Sequence, residues 1–276
     1  MTHPHIASNG FGIFAWFGLQ TPFVERMCRI REAGFSSTSL WWEEEHPVRR
    51  ELRYQAPEKV REAGLGIHSI HVPYRRCNQL WDPDPTVCAE AVSLHARWLD
   101  DCARFEVPMM VMHATLGNEP PPPNDAGIDS FRRIVEIAED LGVTVAVENT
   151  RSDGHISALF EQISSPFLGL CYDSSHDWLH SKEPFRLLRQ WEHRIVATHW
   201  SDTDGILDRH WIPGDGSIDF DSLADAIDWP GLNCHHLLEV FSRDRTVETE
   251  AFLNRAFMAA ERLSSRLRLN GRCAAR

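Results

Sequence analysis

Short apolar runs alternate with longer segments of helical periodicity along the whole chain. Runs rich in Val, Ile, Leu and aromatic residues recur eight times, and polar or Gly positions bound them. Each run is followed by a helical segment. The predicted strands are residues 11–17, 37–43, 66–74, 109–117, 143–150, 168–176, 195–202 and 234–240.

Amphipathic segments between these runs predict helices. In the first, Thr21 is the expected N-cap, Pro22 occupies the first turn and Gly34 ends the helix. The other predicted helices span 85–105, 130–142, 157–165, 185–191 and about 246–266.

Strands that are apolar on both faces are typical of a parallel sheet covered by helices. Eight such strand–helix units close into a (β/α)8 barrel, the TIM barrel of the α/β class. No Ser/Gly-rich linker interrupts the pattern, so residues 1–276 are predicted to form a single domain. An open doubly wound sheet is the alternative, but no GxGxxG turn follows the first strand or VTVAVENT.

Composition narrows the function classes. The hydrophobic content of 42% suffices for a sizeable core, and a net charge of -12 disfavours nucleic acid as a partner. The dense basic stretch, RLSSRLRLNGRCAAR, is expected to be a solvated helix end. No long apolar run or leader pattern is present, and seven Cys without CxxC spacing are expected to be reduced thiols. These features predict a cytoplasmic protein without membrane association.

Acidic and imidazole side chains end six successive predicted strands. Singly, such a Glu could be a boundary residue, such an Asp a helix cap and such a His a half-buried core residue. Strand C-termini surround one mouth of a barrel, however, and carboxylates buried together without a cation are strongly disfavoured. A bound divalent cation is therefore predicted. The six residues are His71, His113, Glu148, Asp173, His199 and Glu239.

The segment after the seventh strand, ATHWSDTDGILDRHWIPGDGSIDF, adds further ligand types. Asp208 and His210 are two residues apart, so an extended loop aims both toward the mouth. His176, three residues after Asp173, is close enough to bend over the same site. Four other acids of the segment are expected to serve as turn and cap residues: Asp202, Asp204, Asp215 and Asp219.

Two features of the predicted mouth bear on substrate. Gly214 and Gly216 leave open a phosphate site built from backbone N–H groups. The aromatic and acidic LWWEEE stretch that ends the second strand suits stacking on a sugar and accepting from its hydroxyls. The predicted substrate contacts are Trp16, Trp42, Tyr74, Arg75, His176 and His210.

With these residues assembled, the chain resembles the xylose isomerase-like TIM barrels, a superfamily that includes sugar (phosphate) isomerases and epimerases and endonuclease IV-type enzymes. The resemblance covers essentially the whole chain. The motifs that carry it are HVPY, VENT, DSSH, HxxDxDGxxDRHxxPGxGxIDF and LLEV.

The resemblance implies one of two metal sites. In the sugar branch, one Mn²⁺, Mg²⁺ or Co²⁺ ion would be bound by Glu148, Asp173, His199 and Glu239. The two glutamates, the predicted catalytic residues, would also transfer the proton. In the endonuclease branch, those four would join five more residues in a three-Zn²⁺ site: His71, His113, His176, Asp208 and His210.

The predicted function is a divalent-metal-dependent isomerase or epimerase of a small ketose, polyol-derived ketone or sugar phosphate, acting through an enediolate. The alternatives are a zinc-dependent phosphodiesterase of abasic DNA, an inosose-type dehydratase or lyase, and a barrel that only binds a sugar. The acidic mouth loops disfavour duplex binding. A homodimer is a family-level expectation, and the sequence leaves open one to three ions and the exact substrate.

Overall fold

The structure is a computed structural model that describes residues 10–42, 53–151, 153–232 and 234–268. The acidic end of the LWWEEE stretch and the last residues of the basic tail lie outside the described residues. None of the described helices has the length and apolar character needed to cross a membrane.

Eight parallel strands form a closed barrel in chain order, which confirms the predicted (β/α)8 fold. The barrel closes where Gly12 of the first strand pairs with Leu237 of the last. The strands are β1 (Gly12–Phe14), β2 (Ser37–Trp41), β3 (Gly66–His71), β4 (Met109–His113), β5 (Thr144–Glu148), β6 (Leu168–Asp173), β7 (Ile195–Trp200) and β8 (His235–Leu238).

Helices of the described chain cover the outside of the barrel. They are α1 (Phe23–Glu32), α2 (Ala56–Glu62), α3 (Pro85–Arg104), α4 (Asp125–Leu141), α5 (Asp153–Gln162), α6 (Ser174–His180), α7 (Arg186–Gln190), α8 (Phe220–Ala224) and α9 (Thr249–Arg266). Short 3-10 turns lie at Cys77–Trp81, Glu192–Arg194 and Trp229–Gly231.

Several helix starts differ from the sequence prediction, including that of α5, which begins at Asp153 rather than at residue 157. Thr21 is not the N-cap of α1: Pro22 holds that position, and the Thr21 hydroxyl hydrogen-bonds to the hydroxyl of Thr249 instead. Helix α4 begins at Asp125, earlier than predicted, because the Asn124 side chain accepts a hydrogen bond from the Gly127 N–H at 2.9 Å. Gly34 follows the end of α1 with a left-handed φ of 108°, as its predicted place requires.

A layer of small and apolar side chains fills the barrel beneath its C-terminal mouth. Its members are Met109, Val111, Ala146, Cys171 and Ala197, all buried. Since side chains alternate along a strand, four of them face the same way as the strand-end residues two positions later. Cys171 is therefore a small core side chain. The polar side chains at the strand ends lie directly above this layer, toward the mouth of the barrel.

Candidate metal centre

The structure brings all nine predicted metal-ligand residues to the C-terminal mouth of the barrel. Five lie at or next to the last residue of strands β3 to β7, and Glu239 directly follows β8. His176 lies in the first turn of α6, while Asp208 and His210 lie in the loop between β7 and α8. Distant parts of the chain therefore supply one continuous site.

The central group consists of Glu148, Asp173, His199 and Glu239. Each offers one ligand atom, and these atoms lie within 4.8 Å of one another. All four side chains are buried, with 5% or less of their surface exposed. Two or more carboxylates and an imidazole at this spacing suit a divalent cation of the first transition row or Mg²⁺.

Several polar atoms of the central group have no hydrogen-bond partner among the described residues, although they are buried. These are Asp173 Oδ2, both ring nitrogens of His199, and Glu239 Oε2. His199 Nδ1 lies 2.7 Å from Glu239 Oε2, yet the pair lacks hydrogen-bond geometry. Buried polar atoms without partners are costly, and a cation shared by them removes that cost. The residues present thus fit a divalent metal ion.

A side group adjoins the central group through Glu148. His71 Nε2 lies 3.0 Å and His113 Nε2 3.3 Å from Glu148 Oε2. His71 Nδ1 donates to the carbonyl of Val72 at 3.1 Å, which leaves Nε2, beside Glu148, as the nitrogen that could bind a cation. This tautomer suits an imidazole ligand, so the side group could hold a second cation.

A third set, the outer group, consists of His176, Asp208 and His210. Like His71, its two histidines are oriented by hydrogen bonds from Nδ1 to main-chain carbonyls. The Nε2 atoms of both histidines lie 3.1 Å from Asp208 Oδ2. Their Nδ1 atoms donate to main-chain carbonyls, of Asn149 at 2.9 Å and of Glu239 at 3.2 Å. Both rings therefore direct Nε2 at one carboxylate; without metal this nitrogen carries a proton toward Asp208, and it is the atom that could bind an ion. His210 is held at a left-handed φ of 49°, a strained conformation that clusters at functional sites.

Burial and the neighbouring histidines shift the pKa values of the acids in opposite directions. Burial raises the pKa of Asp173 to about 6. Burial would also raise the pKa of Glu239, but the positive charge of His199, 2.7 Å away, outweighs it and lowers that pKa to about 2. For Glu148, His199 and His113 likewise outweigh burial and hold the pKa well below its ordinary value. Although burial opposes it, neighbouring acidic groups raise the pKa values of His176, His199 and His210, so protons on these rings balance the carboxylates without metal, and a bound ion would take the place of those protons.

Asp173 serves the helix and the site at the same time. Its Oδ1 accepts from the His176 N–H at 2.7 Å and so caps α6, while Oδ2 faces the central group. Ser175, which the sequence prediction missed, links two groups. Its hydroxyl lies 3.1 Å from Asp173 Oδ1, 3.2 Å from Asp208 Oδ1 and 2.7 Å from the hydroxyl of Ser201.

A cavity of about 310 Å³ opens above these groups. Among the predicted substrate residues, Tyr74, His176 and His210 line it. Tyr74 stacks on His113 with ring centroids 4.6 Å apart. The lining also includes residues that sequence reasoning did not select: Trp41, Thr115, Leu116, Gly117, Thr150, Arg151, His180 and Phe241.

Three predicted substrate contacts do not line the cavity. Trp42 is fully buried elsewhere, where its indole N–H donates to Asp101 at 2.7 Å. The preceding residue, Trp41, lines the cavity because successive side chains at a strand end point in opposite directions. Trp16 instead packs under the Arg26 guanidinium, and exposed Arg75 is also not part of the cavity lining.

The possible backbone phosphate site after β7 is not free for a ligand. The N–H groups of Gly214 and Gly216 donate to Asp202 Oδ2 at 2.9 and 2.8 Å, and Ile218 N donates to its Oδ1 at 3.1 Å. Buried Asp202 thus organises the loop, as expected of a turn residue. The remaining acids of the segment also have structural partners: Asp204 binds N–H groups of its own turn, Asp215 pairs with Arg255, and Asp219 caps α8.

The fold and the strand-end cluster define a (β/α)8 barrel with a polar centre at its C-terminal mouth. The sequence model of the family described as "Xylose isomerase-like TIM barrel" matches residues 28–261. The chain belongs to this family.

Individual relatives agree with this assignment. The uncharacterized protein y4fM of Sinorhizobium fredii (strain NBRC 101917 / NGR234) is 27% identical, over 72% of this chain and 74% of its own length. Among solved structures, an L-ribulose 3-epimerase is similar with a TM-score of 0.74 at 17% identity, covering 97% of this chain and 99% of that chain. A D-psicose 3-epimerase from Clostridium cellulolyticum H10 has the same TM-score at 15% identity, covering 94% and 99%. At these identities the similarity shows a shared fold.

Proposed function

We propose that this protein is a divalent-metal-dependent epimerase or isomerase of a small ketose. One observation carries the proposal: two buried glutamates, Glu148 and Glu239, come from separate strands to one predicted cation site beneath the cavity. Two carboxylates at one carbon centre suit removal and return of a proton. The names of the similar structures, L-ribulose and D-psicose 3-epimerase, support the same substrate class.

The chain's own residues account for the proton transfer. The pKa values of both glutamates lie below the ordinary range, so both are ionised near neutral pH and each can accept a proton. His199 lies 3.4 Å from Glu148 and 2.7 Å from Glu239, and it keeps the two carboxylates close to each other. A divalent cation, when bound, supplies positive charge that stabilises the enediolate oxygens.

The cavity walls orient the substrate. Trp41 and Tyr74 provide apolar faces against which sugar C–H groups can pack. His176 and His210 offer polar atoms for the hydroxyls, or bind a further ion together with Asp208. Because the glutamates lie at the bottom of the cavity, the carbonyl end of the ketose enters first.

The test is a deuterium-exchange assay. The protein is first stripped of metal and then reloaded with Mn²⁺, Mg²⁺, Co²⁺ or Zn²⁺ in turn. We expect deuterium from the solvent to enter one carbon of at least one ketose in a panel of pentuloses and hexuloses, with formation of its epimer or aldose. The chelator-treated protein serves as control. Absence of exchange with every metal and every ketose would refute the proposal, and loss of water from an inosose would redirect it to a dehydratase.

A second candidate is a zinc-dependent phosphodiesterase. The observation in its favour is that the side and outer groups stand beside the central group, as a three-ion site would require. The net charge of -12 disfavours a polyanionic duplex. Elemental analysis and an abasic-duplex assay decide: three zinc ions per chain with strand nicking would favour this candidate over the epimerase.

A further inference from the structure

Among the described residues that line the cavity, Arg151 is the only Lys or Arg. It lies in the loop between β5 and α5, three residues after Glu148. Its side chain is exposed and has no ion pair or hydrogen-bond partner among the described residues. Two other arginines differ: Arg209 of the loop after β7 pairs with Asp204 at 2.7 Å, and Arg255 of α9 pairs with Asp215 at 2.9 Å.

The charge of the site leaves Arg151 unbalanced once metal is bound. Four carboxylates belong to the ligand groups, so two divalent cations cancel them and a third gives excess positive charge. Whether protons on the histidines or bound cations balance these carboxylates, little negative charge is left in the site to offset a guanidinium at the cavity. Arg151 is then a cation at the cavity with no anionic partner among the described residues.

The position of Arg151 suits the far end of a short sugar chain. Three residues of backbone span at most about 10 Å, so the Arg151 backbone remains within that distance of Glu148. Thr150 and His180, which also line the cavity, add polar groups on this part of its wall. A guanidinium binds carboxylate and phosphate oxygens through two parallel N–H bonds, a geometry that a neutral hydroxyl does not match.

We propose that the substrate is an anionic ketose whose terminal carboxylate or phosphate ester binds to Arg151 while its carbonyl end faces Glu148 and Glu239. This inference rests on the proposed function and names its substrate class. Arg151 is a specificity residue in this account and takes no part in proton transfer.

The test compares the metal-loaded protein with its Arg151→Ala and Arg151→Lys variants on D-fructose, D-fructose 6-phosphate and D-fructuronate. We expect the native protein to prefer one of the two anionic compounds by about tenfold or more in kcat/KM. Arg151→Ala should remove that preference mainly through KM, with a much larger loss on the preferred anion than on D-fructose. Arg151→Lys should restore it in part. Arg186→Ala is the matched control, because that exposed arginine pairs with Asp153 and does not line the cavity.

The two anionic compounds distinguish the terminal group. A preference for D-fructose 6-phosphate indicates a phosphate ester, and a preference for D-fructuronate indicates a carboxylate. Equal use of D-fructose and both anions by the native protein would overturn the inference while the proposed function stands. If none of the three compounds is turned over, calorimetric binding of D-gluconate against D-sorbitol decides. Tenfold weaker gluconate binding by Arg151→Ala then supports the subsite, and unchanged binding overturns it.

Discussion

Replacing Glu239 by Gln keeps the shape of the side chain and removes its charge. Glu239 Oε2 lies 2.7 Å from His199 Nδ1, and the pKa of Glu239 is lowered from 4.5 to about 2 although burial opposes this. A pKa difference of one corresponds to ~1.4 kcal/mol, so the ionised carboxylate contributes about 3 kcal/mol to the stability of the metal-free protein. For a chain of 276 residues, losing that contribution lowers Tm by about 5 °C.

The sign of the pH dependence follows from the lowered pKa. The contribution of Glu239 is fully present above its ordinary pKa of 4.5 and is lost as the pH falls toward 2. The difference in free energy of unfolding between native and Glu239→Gln proteins should therefore be largest at neutral pH and shrink in acid. Urea unfolding of the metal-free proteins at several pH values measures it.

Catalysis should change far more than stability. With the metal ion saturating and its stoichiometry checked by elemental analysis, we expect deuterium exchange into the ketose to fall roughly 10²- to 10⁴-fold in Glu239→Gln. Glu136→Gln, the same change at an exposed glutamate of α4, should alter neither exchange nor Tm. A Glu239→Gln protein that binds its full metal complement and exchanges at the native rate would refute the assignment of Glu239 as a base.

Three further predictions concern groups around the site and the core. Ser175→Ala should weaken binding of an ion at the outer group by roughly 10- to 100-fold, because the hydroxyl beside Asp208 is lost; metal titration with the Ser175→Thr variant as a rescue checks this. Asp202→Asn should lower the free energy of unfolding, measured in urea, by on the order of 3 kcal/mol, because an amide cannot replace both acceptor oxygens that bind the loop N–H groups. A urea unfolding curve equal to that of the native protein would contradict this. Burial lowers the pKa of His95 to about 4 and that of His236 to about 3, so both stay neutral in the folded protein. Because each would take up a proton in the unfolded chain, the free energy of unfolding should fall by about 2 kcal/mol per histidine between pH 7 and pH 5. Urea unfolding of His95→Gln should show a fall that is smaller by about 2 kcal/mol over the same pH range.

Most of the barrel could be predicted from periodicity, whereas the ends of its elements depend on local hydrogen bonds. Residues 168–176 read as one apolar strand, yet β6 stops at Asp173 because that carboxylate accepts from the His176 N–H and starts α6. In the same way, Asn124 starts α4 before the amphipathic pattern begins. The apolar pattern does not report these side-chain caps, because they depend on one polar contact each.

The meeting of the candidate ligand residues at one mouth could be predicted because barrel topology places strand ends together regardless of loop shape. The cavity walls could not. Whether Trp41 or Trp42 faces the mouth depends on where in the alternation β2 ends, a difference of one residue. Arg151 reaches the cavity through a loop conformation that has no sequence signature. The sequence also could not show that the N–H groups of Gly214 and Gly216 are unavailable to a phosphate, because they donate to the buried Asp202 carboxylate.

The central claim is that side chains at the strand ends meet in order to hold a divalent cation. Anomalous diffraction at the manganese edge, from crystals of the protein loaded with Mn²⁺, tests it most directly. We predict a peak within coordination distance of Glu148, Asp173, His199 and Glu239. A fully loaded crystal without anomalous density among these four side chains would contradict the account.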